Sequence, residues 1–159
     1  MSYDLVHGYS KISGHHTPLF STGKQIESTD HAVQMLLEKG VPAEKLVIGA
    51  AFYGRFFEID AGSKIDLYSP CKFSHAFSFK FSEDSLSVKN GFVKYRDDIA
   101  KAPYAVNSKR RLLATYDDEQ SVTLKTKYAR EKKLGGIMFW QLMDDKFRHG
   151  LLDAIYRSE

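Results

Sequence analysis

A single cysteine, Cys71, excludes an internal disulfide framework and any zinc site built on cysteines, and beside Pro70 it reads as a small packed residue. The chain has no uninterrupted apolar run long enough to span a bilayer. Its first residues, MSYDLVHGYS, lack the basic and apolar regions of a signal peptide. Charge of one sign is also scarce: the net value is +3, the basic residues are scattered, and the densest run is Lys109, Arg110 and Arg111. That argues against nucleic-acid and membrane-surface partners and makes the run a solvated loop. No internal repeat or low-complexity segment occurs. Tryptophan is present once, at Trp140.

What remains is an ordinary globular composition. The 159 residues are 43% hydrophobic and 27% charged, enough for one soluble domain with a real core. Aromatics reach 13%, which fits either a large core or a surface that stacks on flat ligands. The segment MSYDLVHGY starts with strand formers and passes into a loop punctuated by Gly14, Pro18 and Gly23. STDHAVQMLLEKG predicts a helix, with Ser28 or Thr29 as N-cap, Ala32, Val33, Leu36 and Leu37 on one face, and Gly40 as the stop.

Lys45 to Arg55, KLVIGAAFYGR, is almost continuously apolar, as expected for a strand covered on both faces of a parallel sheet. From Phe56 to about Leu113 the pattern changes to short aromatic-rich pieces, with a short helix predicted in KYRDDIAKAP. A helix then starts near Asp118 and stops at Gly135, followed by the strand GIMFWQL and a final helical stretch, LLDAIYR.

The order is therefore strand, helix, strand, α+β insertion, helix, strand, helix. This βα rhythm suits a parallel α/β fold, but a (βα)8 barrel needs eight strands and about 250 residues. The expectation is a partial TIM barrel, about its last three strands. Its portions would be residues 1–55 and 114–159, with residues 56–113 as an insertion domain.

In such folds the chemistry sits at the carboxyl ends of the strands. Here those ends carry Tyr3 and Asp4, Tyr53 and Arg55, and Trp140 and Gln141. A pyranose ring has apolar C–H faces and a rim of hydroxyls, so a sugar site combines an aromatic platform with carboxylate, guanidinium and amide groups. Each signal has a plainer alternative: Trp140 as half-buried core, Arg55 as a salt-bridging cap of the sheet.

MSYD, VPAEKLVIGAAFYGR and YDDEQSVTLKTKYAREKKLGGIMFWQLMDD, in this order, resemble the last part of the glycoside hydrolase family 18 chitinases. The resemblance implies an eight-stranded βα barrel that cleaves β-1,4 links between N-acetylglucosamine units by a substrate-assisted retaining mechanism. It implies that Tyr3 hydrogen-bonds the acetamido group of the sugar and steadies the intermediate, while Asp4 contacts the sugar rim. Tyr53 and Arg55 would line the glycan groove, and Trp140 would be the floor under the sugar at the cleavage point. Chitin or a chitooligosaccharide is the implied partner, with no cofactor and no metal. A full-length protein of this kind is expected to be secreted or periplasmic; the chain carries no address of its own.

One departure matters most. No segment matches the family's D-x-x-D-x-D-x-E signature, which supplies the proton donor. Asp60 and Asp66 have the wrong spacing, and Asp117, Asp118 and Glu119 read as a helix N-terminus. Asp144 and Asp145 read as solvated. Gln141 stands where many relatives have Glu, with no essential role lost. His15 and His16 are adjacent in a loop without acid or Cys partners placed for a metal. The chain is thus expected to be the C-terminal portion of a chitinase, inactive alone. A non-catalytic, lectin-like chitin-binding module is the alternative. Its open strand edges would be covered by the missing N-terminal half of the barrel or by self-association.

Overall fold

The computed structural model describes residues 1–158. The first helix, α1 (Thr29–Glu38), is capped by the Ser28 hydroxyl, which accepts from the His31 N–H, and the chain leaves it through Gly40 at φ +81°. Strand β1 (Val47–Ala51) follows. The apolar run from Lys45 to Arg55 does not form one strand as expected: it breaks at Phe52, after which β2 (Tyr53–Ile59) enters a different sheet. The break has a tertiary cause. Phe52 N–H donates to the Trp140 carbonyl (2.8 Å), its carbonyl accepts from Phe79 N–H (2.9 Å), and its buried ring stacks on Phe139 at 4.5 Å.

Next come β3 (Cys71–Ser78), the short α2 (Ser82–Ser85), and strands β4 (Val93–Asp97), β5 (Ala102–Asn107) and β6 (Leu112–Tyr116). The helix expected over KYRDDIAKAP is instead the β4–β5 hairpin. Asp97 accepts from the N–H groups of Ile99 and Ala100, Lys101 takes φ +55°, and Tyr95 stacks on its cross-strand partner Tyr104 at 5.3 Å. Five strands form one antiparallel sheet in the order β3-β2-β6-β5-β4. A core cluster lies on each of its faces, one around Phe56, Leu86 and Phe92, the other around Phe57, Ile59 and Leu113.

Helix α3 (Glu119–Glu131) starts at Asp118, which shares a capping box with Ser121. Strand β7 (Gly136–Trp140) pairs in parallel with β1, Val47 opposite Gly136 and Ala51 opposite Trp140, and α4 (Leu151–Tyr156) ends the described chain. The parallel sheet therefore has two strands where three were expected. Residues 1–9 lie in no strand. They are anchored by a side chain instead: the Ser2 hydroxyl donates to the Gly49 carbonyl (3.1 Å) and accepts from Gly49 N–H (2.9 Å). The backbone then turns away through Asp4 at φ +60°. Helices α1 and α3 cover β1 through Val33, Ile48 and Tyr128, and α4 closes over Ala50, Phe52 and Val122 with Leu151 and Ile155.

Three smaller expectations need correction. Arg111 is no solvated end of a basic loop, because its guanidinium donates to the carbonyls of Ile59, Asp60 and Ser63. Asp145 is buried rather than solvated, its carboxylate accepting from the N–H groups of Leu151 and Leu152 at the start of α4. Asp144 is partly covered and accepts from the Ser78 hydroxyl at 2.5 Å.

Candidate functional site

Where the two sheets meet, a cleft of about 610 Å³ opens, within the size range of small-ligand sites. Tyr3, Asp4, Tyr53, Arg55 and Trp140, five of the six residues expected at the strand ends, line it; Gln141 does not. They arrive by different routes. Tyr53 and Arg55 sit two apart on β2 and so project from the same face of the antiparallel sheet. Between them, Gly54 leaves room for Phe77: an added Cβ would lie 2.3 Å from the Phe77 ring. Trp140 ends β7 and Tyr3 and Asp4 come from the anchored N-terminal segment.

Asp4 is the electrostatic centre. Its Oδ1 accepts from the Tyr53 hydroxyl at 2.7 Å and from Arg55 Nε at 2.6 Å. Burial alone would raise its carboxyl, but the His16 ring beside it and the donors of Arg55 and Tyr53 outweigh burial and hold it well below the usual carboxylate range. Asp4 is therefore an acceptor, not a proton donor, at any ordinary pH. Burial, reinforced by Asp4, pushes the Tyr53 hydroxyl far up and so keeps it protonated. Arg55 is held over the faces of Tyr53 and Phe73 at 5.6 and 5.4 Å, which fixes the plane of its guanidinium. Among the described residues, Oδ2 of Asp4 takes no hydrogen bond.

Tyr3 packs edge-on against Tyr53 at 6.0 Å, and its hydroxyl lies 3.8 Å from Met138 Sδ, a weak acceptor. Its proton is left for a better partner. Trp140 is 54% exposed, an unusual state for the largest apolar side chain at the end of a strand whose other residues are half-buried. Phe77, Ser78 and Asp144 complete the opposite wall. Gln141 points into solvent, its amide 3.3 Å from Asp144.

The adjacent histidines diverge: His15 Nε2 lies 3.2 Å from Asp97, whereas His16 Nδ1 faces Asp4 at 3.5 Å. They address different carboxylates, and no cluster of three or more His, Cys, Asp or Glu suited to a metal occurs among the described residues. Behind His16 lies a fully buried ion pair. Lys125 Nζ reaches both oxygens of Asp117 at 2.9 and 2.7 Å, and Asp117 also accepts from Ala51 N–H, the Ser121 hydroxyl and the Thr17 hydroxyl. Reading Asp117 as part of a helix N-terminus missed this pair. His16, Phe77 and Ser78 were missed as well; the His-His pair was the only visible signal, and its spacing said nothing of Asp4.

The chain is 36% identical over 163 residues to chitinase A1 of Niallia circulans, an alignment covering 92% of this chain and 23% of that protein. It superposes on a family 18 N-acetylglucosaminidase from Paenibacillus barengoltzii with a TM-score of 0.88 at 34% identity, covering 100% of this chain and 47% of that one. The Group IV chitinase of Ostrinia furnacalis, solved in complex with allosamidin, gives 0.86 at 28% identity, with 99% of this chain and 48% of that one covered. The chain thus spans about a quarter of the first relative and about half of the two solved structures. Because the family model for glycosyl hydrolases family 18 matches residues 1–145 of the 159, the chain belongs to that family.

Proposed function

We propose that this chain supplies the floor and one wall of a chitooligosaccharide cleft, as the C-terminal part of a chitinase barrel in which residues 56–113 are the insertion domain. One observation carries the reading: a half-exposed Trp140 shares a cleft with Asp4, whose Oδ2 is free to accept a sugar hydroxyl or amide N–H. The indole stacks on the apolar face of the sugar ring, and Arg55 donates to its oxygens.

In the substrate-assisted reaction the carbonyl oxygen of the sugar's own acetamido group attacks the anomeric carbon. The glycosidic bond breaks toward the leaving oxygen, giving an oxazolinium that water then opens. Tyr3 donates its hydroxyl proton in a hydrogen bond to the acetamido group and steadies that intermediate. The leaving oxygen needs a proton, and no D-x-x-D-x-D-x-E segment is present to deliver it. Losing general acid catalysis lowers the rate by about 10²- to 10⁴-fold, so the chain alone is expected to be inactive.

Incubation of the purified chain with a fluorogenic chitobioside tests this directly. No release above background is expected, and turnover comparable to an intact chitinase would overturn the proposal. On the same sample, chitotetraose should change the fluorescence of Trp140, the sole tryptophan. Saturable binding without turnover is equally the outcome expected of the second reading, a lectin-like module, which rests on the sugar-facing groups being present without the acid.

The uncovered surfaces point to a partner for this piece of fold. β1 and β7 pair only with each other, and a groove of about 470 Å³ beside β7 is lined by Leu134, Ile137, Phe139, Leu152 and Ile155. Leu142, Met143 and Phe147 follow Trp140 and are exposed, Phe147 at 97%. The rest of the barrel would cover them; without it, copies of the chain are expected to associate. Sedimentation velocity over a concentration series should show a rising weight-average mass. A strictly monomeric sample throughout would contradict that expectation.

A further inference from the structure

His16 has no part in the reading above, yet its surroundings single it out. The ring is 0% exposed, and neither nitrogen has a formed hydrogen bond. Leaving two buried polar atoms unpaired is costly unless something else requires them there. The ring is held firmly from behind. His16 N–H donates to Thr115 Oγ1 on β6 at 3.1 Å, its carbonyl accepts from Leu5 N–H next to Asp4, and the imidazole packs on Tyr53 at 5.3 Å.

This scaffold aims Nδ1 at Oδ1 of Asp4, 3.5 Å away. The oxygen already receives Tyr53 and Arg55, so His16 approaches as a third donor from the buried side. The charged groups around the ring are Asp4 on the cleft side and Asp117 and Lys125 behind it, and burial, the largest influence, keeps the imidazole neutral. A neutral imidazole has one N–H. Placed on Nε2, it would leave the Nδ1 lone pair facing a carboxylate; placed on Nδ1, it meets the carboxylate with a proton.

We propose that His16 is a positioning residue of the cleft, carrying its proton on Nδ1 and donating to Oδ1 of Asp4, so that Oδ2 stays turned toward the glycan. The inference rests on the reading of the cleft as a glycan site. It also gives His16 a specific moment of use. Arg55 is shared between Asp4 and the sugar once a glycan enters, and a third donor keeps the carboxylate from following it.

Two measurements on the full chain test this. A long-range ¹H–¹⁵N correlation spectrum of the labelled protein should show His16 as the Nδ1–H tautomer, with shifts that change in Asp4→Asn; an Nε2–H tautomer overturns the proposal without any variant of His16 having to fold. Trp140 fluorescence titrations with chitotetraose should show His16→Leu weakened by about tenfold, the scale of one hydrogen bond to a charged group. His16→Asn, which keeps an N–H donor, should return to within about threefold of the parent. Equal affinities for the Leu and Asn variants overturn the positioning role. The Nδ1–H tautomer together with no chitotetraose binding by the parent chain supports the contact to Asp4 and overturns only the glycan reading.

Discussion

Replacing Lys125 with methionine is expected to destabilise the chain by about 3–5 kcal/mol, the range seen when one partner of a buried ion pair is removed. Methionine keeps most of the side-chain volume, so the loss is electrostatic rather than a cavity effect. Both Lys125 and Asp117 are essentially excluded from solvent. With Lys125 gone, Asp117 keeps only neutral donors: the hydroxyls of Thr17 and Ser121 and the N–H of Ala51. A chain of this size loses roughly 2–4 °C of thermal midpoint per kcal/mol, so a fall of about 10 °C is expected. The double variant Lys125→Met, Asp117→Asn should recover much of it, because neither charge is then left alone. Thermal unfolding followed by circular dichroism measures both. A single-variant shift below about 3 °C would mean that water reaches Asp117 and the pair is not closed.

The largest effect on recognition is expected from Trp140. Its ring lines the cleft beside Tyr3, Tyr53 and Phe77, and half of it is open to solvent. Removing a central aromatic anchor of this kind costs about 2 kcal/mol or more, so Trp140→Ala should weaken chitotetraose binding by at least about thirtyfold. Because the substitution also removes the fluorophore, titration calorimetry is the measurement. Trp140→Phe should retain part of the affinity. An alanine variant within twofold of the parent would show that the sugar does not stack there, and would place the indole among the residues that await a partner surface.

Helices α1 and α3 were legible because their signals are local: Ser28, Gly40 and Asp118 sit at the helix ends and act on their own neighbours. The last strand was legible too, as an apolar run behind two glycines. The break at Phe52 was not, since the run is apolar on both sides and the break is imposed by Trp140 and Phe79 from elsewhere in the chain. Lys94 to Pro103 fits a helix period as well as a strand period. Cross-strand stacking of Tyr95 on Tyr104 and the Asp97 turn decide for the hairpin. At the cleft, spaced motifs identified Tyr3, Asp4, Tyr53, Arg55 and Trp140 together. His16 stayed hidden because its anchor, Thr115, is 99 residues away, and Asp117 because its partners come from the first loop, β1 and α3 at once.

The pairing of β1 with β7 joins Val47 to Gly136, and the entire antiparallel sheet lies within the loop that this pairing closes. Closing a long loop is entropically expensive, whereas the β4–β5 and β5–β6 hairpins close over a few residues. The chain therefore has reason to assemble its antiparallel half early and its parallel half late. The cleft draws Tyr53 and Arg55 from the first, Trp140 from the second, and Asp4 from a segment held to β1 by one serine. The cleft thus draws its lining from the antiparallel sheet, the parallel pair and the N-terminal segment, so an intact cleft requires all three to be in place.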